Sequence, residues 1–196
     1  MKKLFLVFAL LCALVLTPAL VAAEIDYGYV SKSGTGTTSA DVVFPRNTAY
    51  TLRLISLDVR TDLASSTVKL YGGTADYTVS TAALSTATNI IVTSSGSAAS
   101  NDVAVIQASD GSTFTATIHG NVGGTNLQFS GQLGTAVAAG ATVHRMDKVH
   151  TLYPTSTNEF RLHAECIFAP QLRQPLLVRA TGTSSVKINN ASVHYD

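Results

Sequence analysis

The residues best suited to chemistry lie in one run, His163-Ala164-Glu165-Cys166. A His-x-Glu opens the zinc deaminase signature, in which the histidine binds zinc and the glutamate shuttles protons. That chemistry also needs a downstream Pro-Cys-x-x-Cys, and no cysteine follows Cys166. The run sits in an alternating stretch, Asn158–Phe168, which puts Phe160, Leu162, Ala164 and Cys166 on one face. Arg161, His163 and Glu165 then form an outward polar row on a strand, supported by cross-strand pairs. His144 and His150 lie six apart and share a face if their strand is continuous, but a metal site needs further converging ligands. His119 and His194 are scattered, and the chain has neither His-Glu-x-x-His nor an acidic calcium loop. A hydrolase needs a nucleophile with a positioned base, and there is no Gly-x-Ser-x-Gly elbow. Glu159 and Glu165 could pair as glycosidase carboxylates, but the chain has no tryptophan to stack a sugar. The expectation is a protein that is not an enzyme, with no catalytic, cofactor-binding or metal-binding residue and no cofactor.

Two uncharged surfaces point to contact. Thr113, Thr115 and Thr117 form a single outward threonine row. An ice-binding face repeats such a row on stacked strands, whereas one row is ordinary strand chemistry. Tyr27, Tyr29, Tyr50, Tyr71, Tyr77, Tyr153 and Tyr195 would supply glycan stacking if they gathered at one end of a sandwich. More commonly such tyrosines flank a core with the hydroxyl at its rim.

The chain opens with a targeting segment. Met1-Lys2-Lys3 is a positive n-region, Leu4–Leu16 is apolar, Thr17-Pro18 breaks it, and Val21-Ala22-Ala23 suits a signal peptidase. Residues 1–23 are therefore read as a signal peptide cleaved before Glu24, with a retained anchor as the alternative. Cleavage leaves 173 of 196 residues, enough for one domain carrying a small second one. Lys2 and Lys3 leave with the signal, so 11 of the 13 basic residues remain against 12 acidic ones. Such a balance offers nucleic acid nothing, and no membrane span remains. Cys12 also leaves, so Cys166 stands alone as a buried apolar residue or an intermolecular link.

The elements read as β throughout. Glu24–Val30 is a strand, Ser31–Ser39 a flexible loop, and Asp41–Phe44 a short strand stopped by Pro45. In Ala49–Arg60, Leu52 and Leu54 share a face, then Leu57 and Val59 resume one residue out of phase. That slip predicts a β-bulge near Ile55–Ser56. Thr67–Tyr71 is a strand, Gly72-Gly73 a turn and Asp76–Val79 a short return. Asn89–Thr93 is another strand, and Ser94–Ser100 a linker. Val103–Gln107 is apolar on both faces, so both should be buried. Asp110-Gly111 is a hairpin signal. Thr113–Ile118 points Phe114, Ala116 and Ile118 inward, Asn121–Asn126 turns, and Leu127 and Phe129 point inward. Gly131–Gly140 crosses over to strands at Ala141–Met146 and Lys148–Tyr153, and Leu176–Thr181 and Val186–Tyr195 close the chain.

From Leu70 to His144 there is no Lys or Arg, and the only formal charges are Asp76, Asp102 and Asp110. Within that tract, Asp-Val-x-Val, Asp-Gly, an alternating threonine strand, Gly-Gly-Thr-Asn-Leu-x-Phe and Ala-x-Ala-Ala-Gly-Ala-x-Val follow in order. Residues 102–146 thereby resemble the small β-barrel modules of virion, tail and other assembly proteins. The resemblance implies a module type, and an uncharged, threonine-rich exterior suits this part of the chain to contact.

The expected fold is all-β: an antiparallel, jelly-roll-like β-sandwich over 24–100 and 147–196, with a small β-barrel-like module inserted at 101–146. The expected function is that of an exported structural or assembly protein of the cell envelope or extracellular space. It would self-associate through sheet edges or uncharged faces, or bind an envelope or matrix partner. The alternative is a sandwich that binds a carbohydrate or other ligand.

Overall fold

The computed structural model describes residues 30–46, 52–61, 67–153, 160–168, 174–183 and 185–195. The signal peptide read at 1–23 and all but the last residue of the strand read at Glu24–Val30 lie outside them. The described residues form strands and connections with no helix. The strands are β1 (Val30–Gly36), β2 (Ser39–Phe44), β3 (Leu52–Thr61), β4 (Thr67–Thr81), β5 (Asn89–Val92) and β6 (Val103–Gln107). They continue with β7 (Thr113–Val122), β8 (Asn126–Phe129), β9 (Thr142–Leu152), β10 (Phe160–Phe168), β11 (Leu176–Thr181) and β12 (Val186–Tyr195). The fold is all-β, as the alternation predicts.

The pairing has a simple rule. β1 pairs with β12, β2 with β11, β3 with β10 and β4 with β9, all antiparallel. The chain is thus one long antiparallel ribbon, and the ribbon is rolled up. Its turns stack as two sheets, β1-β12-β3-β10 and β2-β11-β4-β9. This is a jelly-roll sandwich. Leu52, Leu54, Leu57 and Val59 of β3 meet Val68 and Leu70 of β4, Leu176 and Val178 of β11, and Phe44 of β2 in the core between the sheets. Each such side chain contributes about 1.5–3 kcal/mol by leaving water. The β3 bulge falls where the phase slip puts it: Ser56 pairs with Ser192 and Leu54 with Val193, leaving Ile55 between them.

Two expected loops are strands. β1 covers Val30–Gly36, and all of it after Val30 falls in the stretch read as a flexible loop. It is an edge strand with little burial on either face, so it needs only backbone hydrogen bonds and shows no apolar alternation. Gly72-Gly73 is not a turn either, because β4 runs straight through it to Thr81. The glycine is required there for close approach. A Cβ on Gly73 would sit 2.8 Å from the Pro175 ring, and the Gly73 amide donates to the Pro175 carbonyl at 3.1 Å. Likewise Ala141–Met146 and Lys148–Tyr153 merge into the single strand β9.

The far half of β4 and the near half of β9 leave the sandwich together and become two staves of a barrel. β4 pairs with β5, β5 with β8, β8 with β7, β7 with β6, β6 with β9, and β9 returns to β4. The ring of six strands is closed. The sequence starts the module at Asn101, but the ring also takes in β5 and β4 from Gly73 onward. The strands after Asn101 alone would leave two open edges, which β4 and β5 close. Inside are Tyr77, Val79, Ile90, Val92, Ile106, Ile118, Leu127, Phe129 and Val143. Leu133 and Val137 plug one end from the crossover after β8, and Val137 bridges Ala83. The Asp110-Gly111 turn is present. The Asp110 carboxylate accepts from the Ser112 hydroxyl at 2.6 Å and its amide at 2.9 Å, which holds the carboxyl below its ordinary value. Gly123 and Gly124 make the other tight turn with φ of 64° and 71°, in the left-handed region that glycine enters freely, and Thr125 completes the loop between the paired Val122 and Asn126.

Candidate interaction site

The residues with the strongest electrostatic chemistry gather where the barrel lies against the sandwich. Along β2, β4 and β11, Val42, Leu70 and Val178 point into the sandwich core, so Val43, Tyr71 and Leu177 point out. The outward three do not face water. Val103 and Val105 of β6 and Met146 of β9 pack on them, forming a second apolar layer. This layer explains why Val103–Gln107 reads as apolar on both faces: Ala104 and Ile106 fill the barrel, and Val103 and Val105 fill the junction.

Ion pairs surround the layer. Arg179 of β11 is in register with Asp41 of β2 and grips its carboxylate with both fork nitrogens, at 2.8 and 2.6 Å. Thr115 of the barrel donates to the same carboxylate at 2.6 Å. Donating these hydrogen bonds to Asp41 raises the Arg179 pKa, against the opposing effect of burial. Beside it, burial raises the Tyr71 phenol, and the Arg179 charge partly offsets that. At a second point Arg46 reaches across to Asp76 of β4 at 2.6 Å. Asp76 also bonds the buried His144 Nδ1 at 2.6 Å. At the barrel rim Arg145 binds Asp147 at 2.8 Å and Asp102 at 3.3 Å.

All three carboxylates of the cation-free tract are therefore engaged. Asp76 joins barrel to sandwich, Asp102 is paired at the rim, and Asp110 is bonded within its own turn. What the barrel shows to solvent on its far side is uncharged. Two clefts in the barrel surface, of about 310 and 280 Å³, are lined by residues such as Thr81, Leu84 and Asn89, and Thr117, Ser130 and Gln132, with no ionisable group.

Among the described residues, those singled out in the sequence do not converge. His163 of β10 pairs in register with Ser56 of β3, but the side chains of His163, Glu165 and Cys166 lie outside the described residues, as does Glu159. His144 is buried on Asp76, whereas His150 is exposed further along β9. No group of three or more potential metal ligands occurs among the described residues. The threonine row is half-buried, and Thr115 is engaged by Asp41. Tyr71 and Tyr77 are buried in different clusters and Tyr153 is exposed, so these three form no common platform. Asp41 and Arg179 escaped notice in the sequence. Their signal was there: each is a lone charge in a strand otherwise apolar on both faces, DVVF and LLVRAT.

Gly73 and Met146 are direct cross-strand partners at the base of the ring. Replacing residues 74–145 with a two-residue turn is therefore expected to leave a folded sandwich with a cooperative urea transition and β-type circular dichroism. The bared Val43, Tyr71 and Leu177 should show as dye binding. A chain with no transition would mean that sandwich and barrel fold only as one unit.

No family model matches this chain, and no curated protein matches it. Among solved structures it is similar to VP17, a capsid protein of bacteriophage P23-77, at 11% identity and a TM-score of 0.23, covering 86% of this chain and 99% of that one. It is also similar to the structure of infectious bursal disease virus Gx strain, at 10% identity and a TM-score of 0.16, covering 86% of this chain and 42% of that one. At these scores the likeness says nothing of what this chain does.

Proposed function

We propose that the chain is an exported structural protein that assembles with copies of itself at the cell envelope or outside the cell, and that it has no catalytic role. The observation that carries this reading is the use of charge. Arg46 of the sandwich pairs with Asp76 of the barrel, Thr115 of the barrel bonds the Asp41–Arg179 pair of the sandwich, and the outer side of the barrel carries no formal charge. Proteins stay apart in solution largely through charged surfaces, so a face without charge favours association. The resemblance of residues 102–146 to assembly modules points the same way.

Association would go through faces and not through strand addition. The closed barrel has no edge. On the sandwich, the Lys32 ammonium caps the Val43 carbonyl of β2 at 2.8 Å. The pairing of β1 is broken between Lys32 and Gly34, and β9 bulges at Val149 beside the exposed Lys148. Lysines and bulges on outer strands are devices that block pairing with another sheet.

Sedimentation velocity and electron microscopy of the purified chain test the reading. A mass that rises with concentration, with visible assemblies, is expected. A strict monomer at high concentration with nothing visible would sink it. The mass of the chain recovered outside the cytoplasm should correspond to a start at Glu24, and recovery of only the full 196-residue chain inside the cell would refute export.

A further inference from the structure

The ring of strands has two opposite sides. β6 and β9 lie against the sandwich. β5 and β8 lie three places round the ring from β6 and β9 respectively, so they face away from it. On that far side Ile91 of β5, Asn126 of β8 and Val122 of β7 stand in one transverse row. Asn89 and Gln128 form the next row. Leu84, in the connection after β4, lines a cleft together with Asn89 and Ile91. Leu84 is 73% exposed and Val122 54% exposed, two of the largest apolar exposures among the described residues.

We propose that this side of the barrel is a contact surface for a second copy of the same chain, barrel to barrel about a two-fold axis. The inference rests on the self-assembly reading and names its surface. Charge selects the partner. No Asp, Glu, Lys or Arg occurs from Tyr77 to Asn101 or from Gly111 to His144. Two copies therefore meet here without like-charge repulsion. Nucleic acid and anionic membranes need cations, and this side has none to offer. The amides decide self-complementarity. Each Asn or Gln side chain both donates and accepts, so the row can bond its own image across a two-fold axis, as an isologous contact requires. The bond from Asn89 to Asn126, at 3.2 Å, uses one donor and one acceptor and leaves the rest of each amide open. Val122, beside Asn126, and Leu84, in the cleft with Asn89, supply the apolar contact.

The test is sedimentation velocity over a wide concentration range on the purified chain and on three variants. Leu84→Glu with Val122→Glu places like charges at the contact. Asn126→Asp does so at its centre with almost no change of shape. Val149→Glu alters an equally exposed apolar residue on the sandwich, where no effect is expected. All substituted side chains are exposed or half-buried, and thermal unfolding confirms that each variant is folded. The expected result is a dissociation constant raised about 100-fold or more in the first two variants and unchanged in the third. Unchanged assembly in both barrel variants overturns the surface and leaves the self-assembly reading standing. An equal loss in Val149→Glu also overturns the surface. A monomeric parent chain overturns both.

Discussion

Replacing Arg179 with methionine is expected to lower the free energy of unfolding by about 3 kcal/mol, the low end of the cost of breaking a buried ion pair by removing one partner. The Asp41 and Arg179 side chains are 22% and 17% exposed, so water only partly replaces what is lost. The substitution keeps most of the aliphatic stem that packs at the junction and removes the fork. Asp41 is then left with the single hydrogen bond from Thr115. Removing both charges, with Asp41→Leu beside Arg179→Met, should recover much of the loss, because no carboxylate then remains half-buried without its cation. Lysine at 179 should fall between, since one ammonium cannot reproduce a two-pronged grip. Urea unfolding of the parent, the two single variants Arg179→Met and Asp41→Leu, and the double variant closes a double-mutant cycle, with the lysine variant measured beside it. A loss under about 0.5 kcal/mol for Arg179→Met, the scale of an exposed surface pair, would show that the pair does not brace the junction.

Gly36→Ala should be about as costly, near 3 kcal/mol, the upper range for forcing atoms into filled space. At the corner where the ribbon passes from β1 in one sheet to β2 in the other, backbone lies directly on backbone. A Cβ on Gly36 would fall 1.6 Å from the Ser39 carbonyl oxygen, and one on Gly34 would fall 2.7 Å from that of Asp41. No side chain can rotate away to make room. Either the corner opens or β1 lifts from β12. Hydrogen exchange separates the two outcomes, since lifting β1 exposes the amides of the register from Val30–Val193 to Gly36–Val186. A Gly36→Ala chain with parent stability and parent exchange would mean that the corner is looser than its geometry requires.

How much was legible in advance follows from the range of each interaction. Alternation is a property of neighbours two residues apart, so it shows in the sequence wherever one face is buried. That is why Val186–Tyr195 and Thr113–Ile118 were readable as strands, and why the slip between Leu54 and Leu57 located the bulge at Ile55. Where the pattern depends on a distant partner, it misleads. β1 is exposed on most of its length and is a strand only because β12 pairs with it, as in the Ser31–Ser192 hydrogen bond that spans 161 positions. Gly72-Gly73 looks like a turn until Pro175 is seen to need the space.

The interaction site divides the same way. By itself the sequence determined an all-β chain, the apolar double face of Val103–Gln107, the tight turns at Asp110-Gly111 and Gly123-Gly124, and a long tract without a cation. Each of these is written in local residue type and spacing. Only the tertiary structure decided that the ribbon rolls with β4 against β9, that β4 and β5 close the ring, and that Asp41, Arg179 and Thr115 meet. The two contacts of Asp41 join residues 74 and 138 positions apart, and no local pattern encodes which of many outward polar side chains will face which. The same closure sends one side of the barrel onto the sandwich and leaves the other, charge-free side facing away.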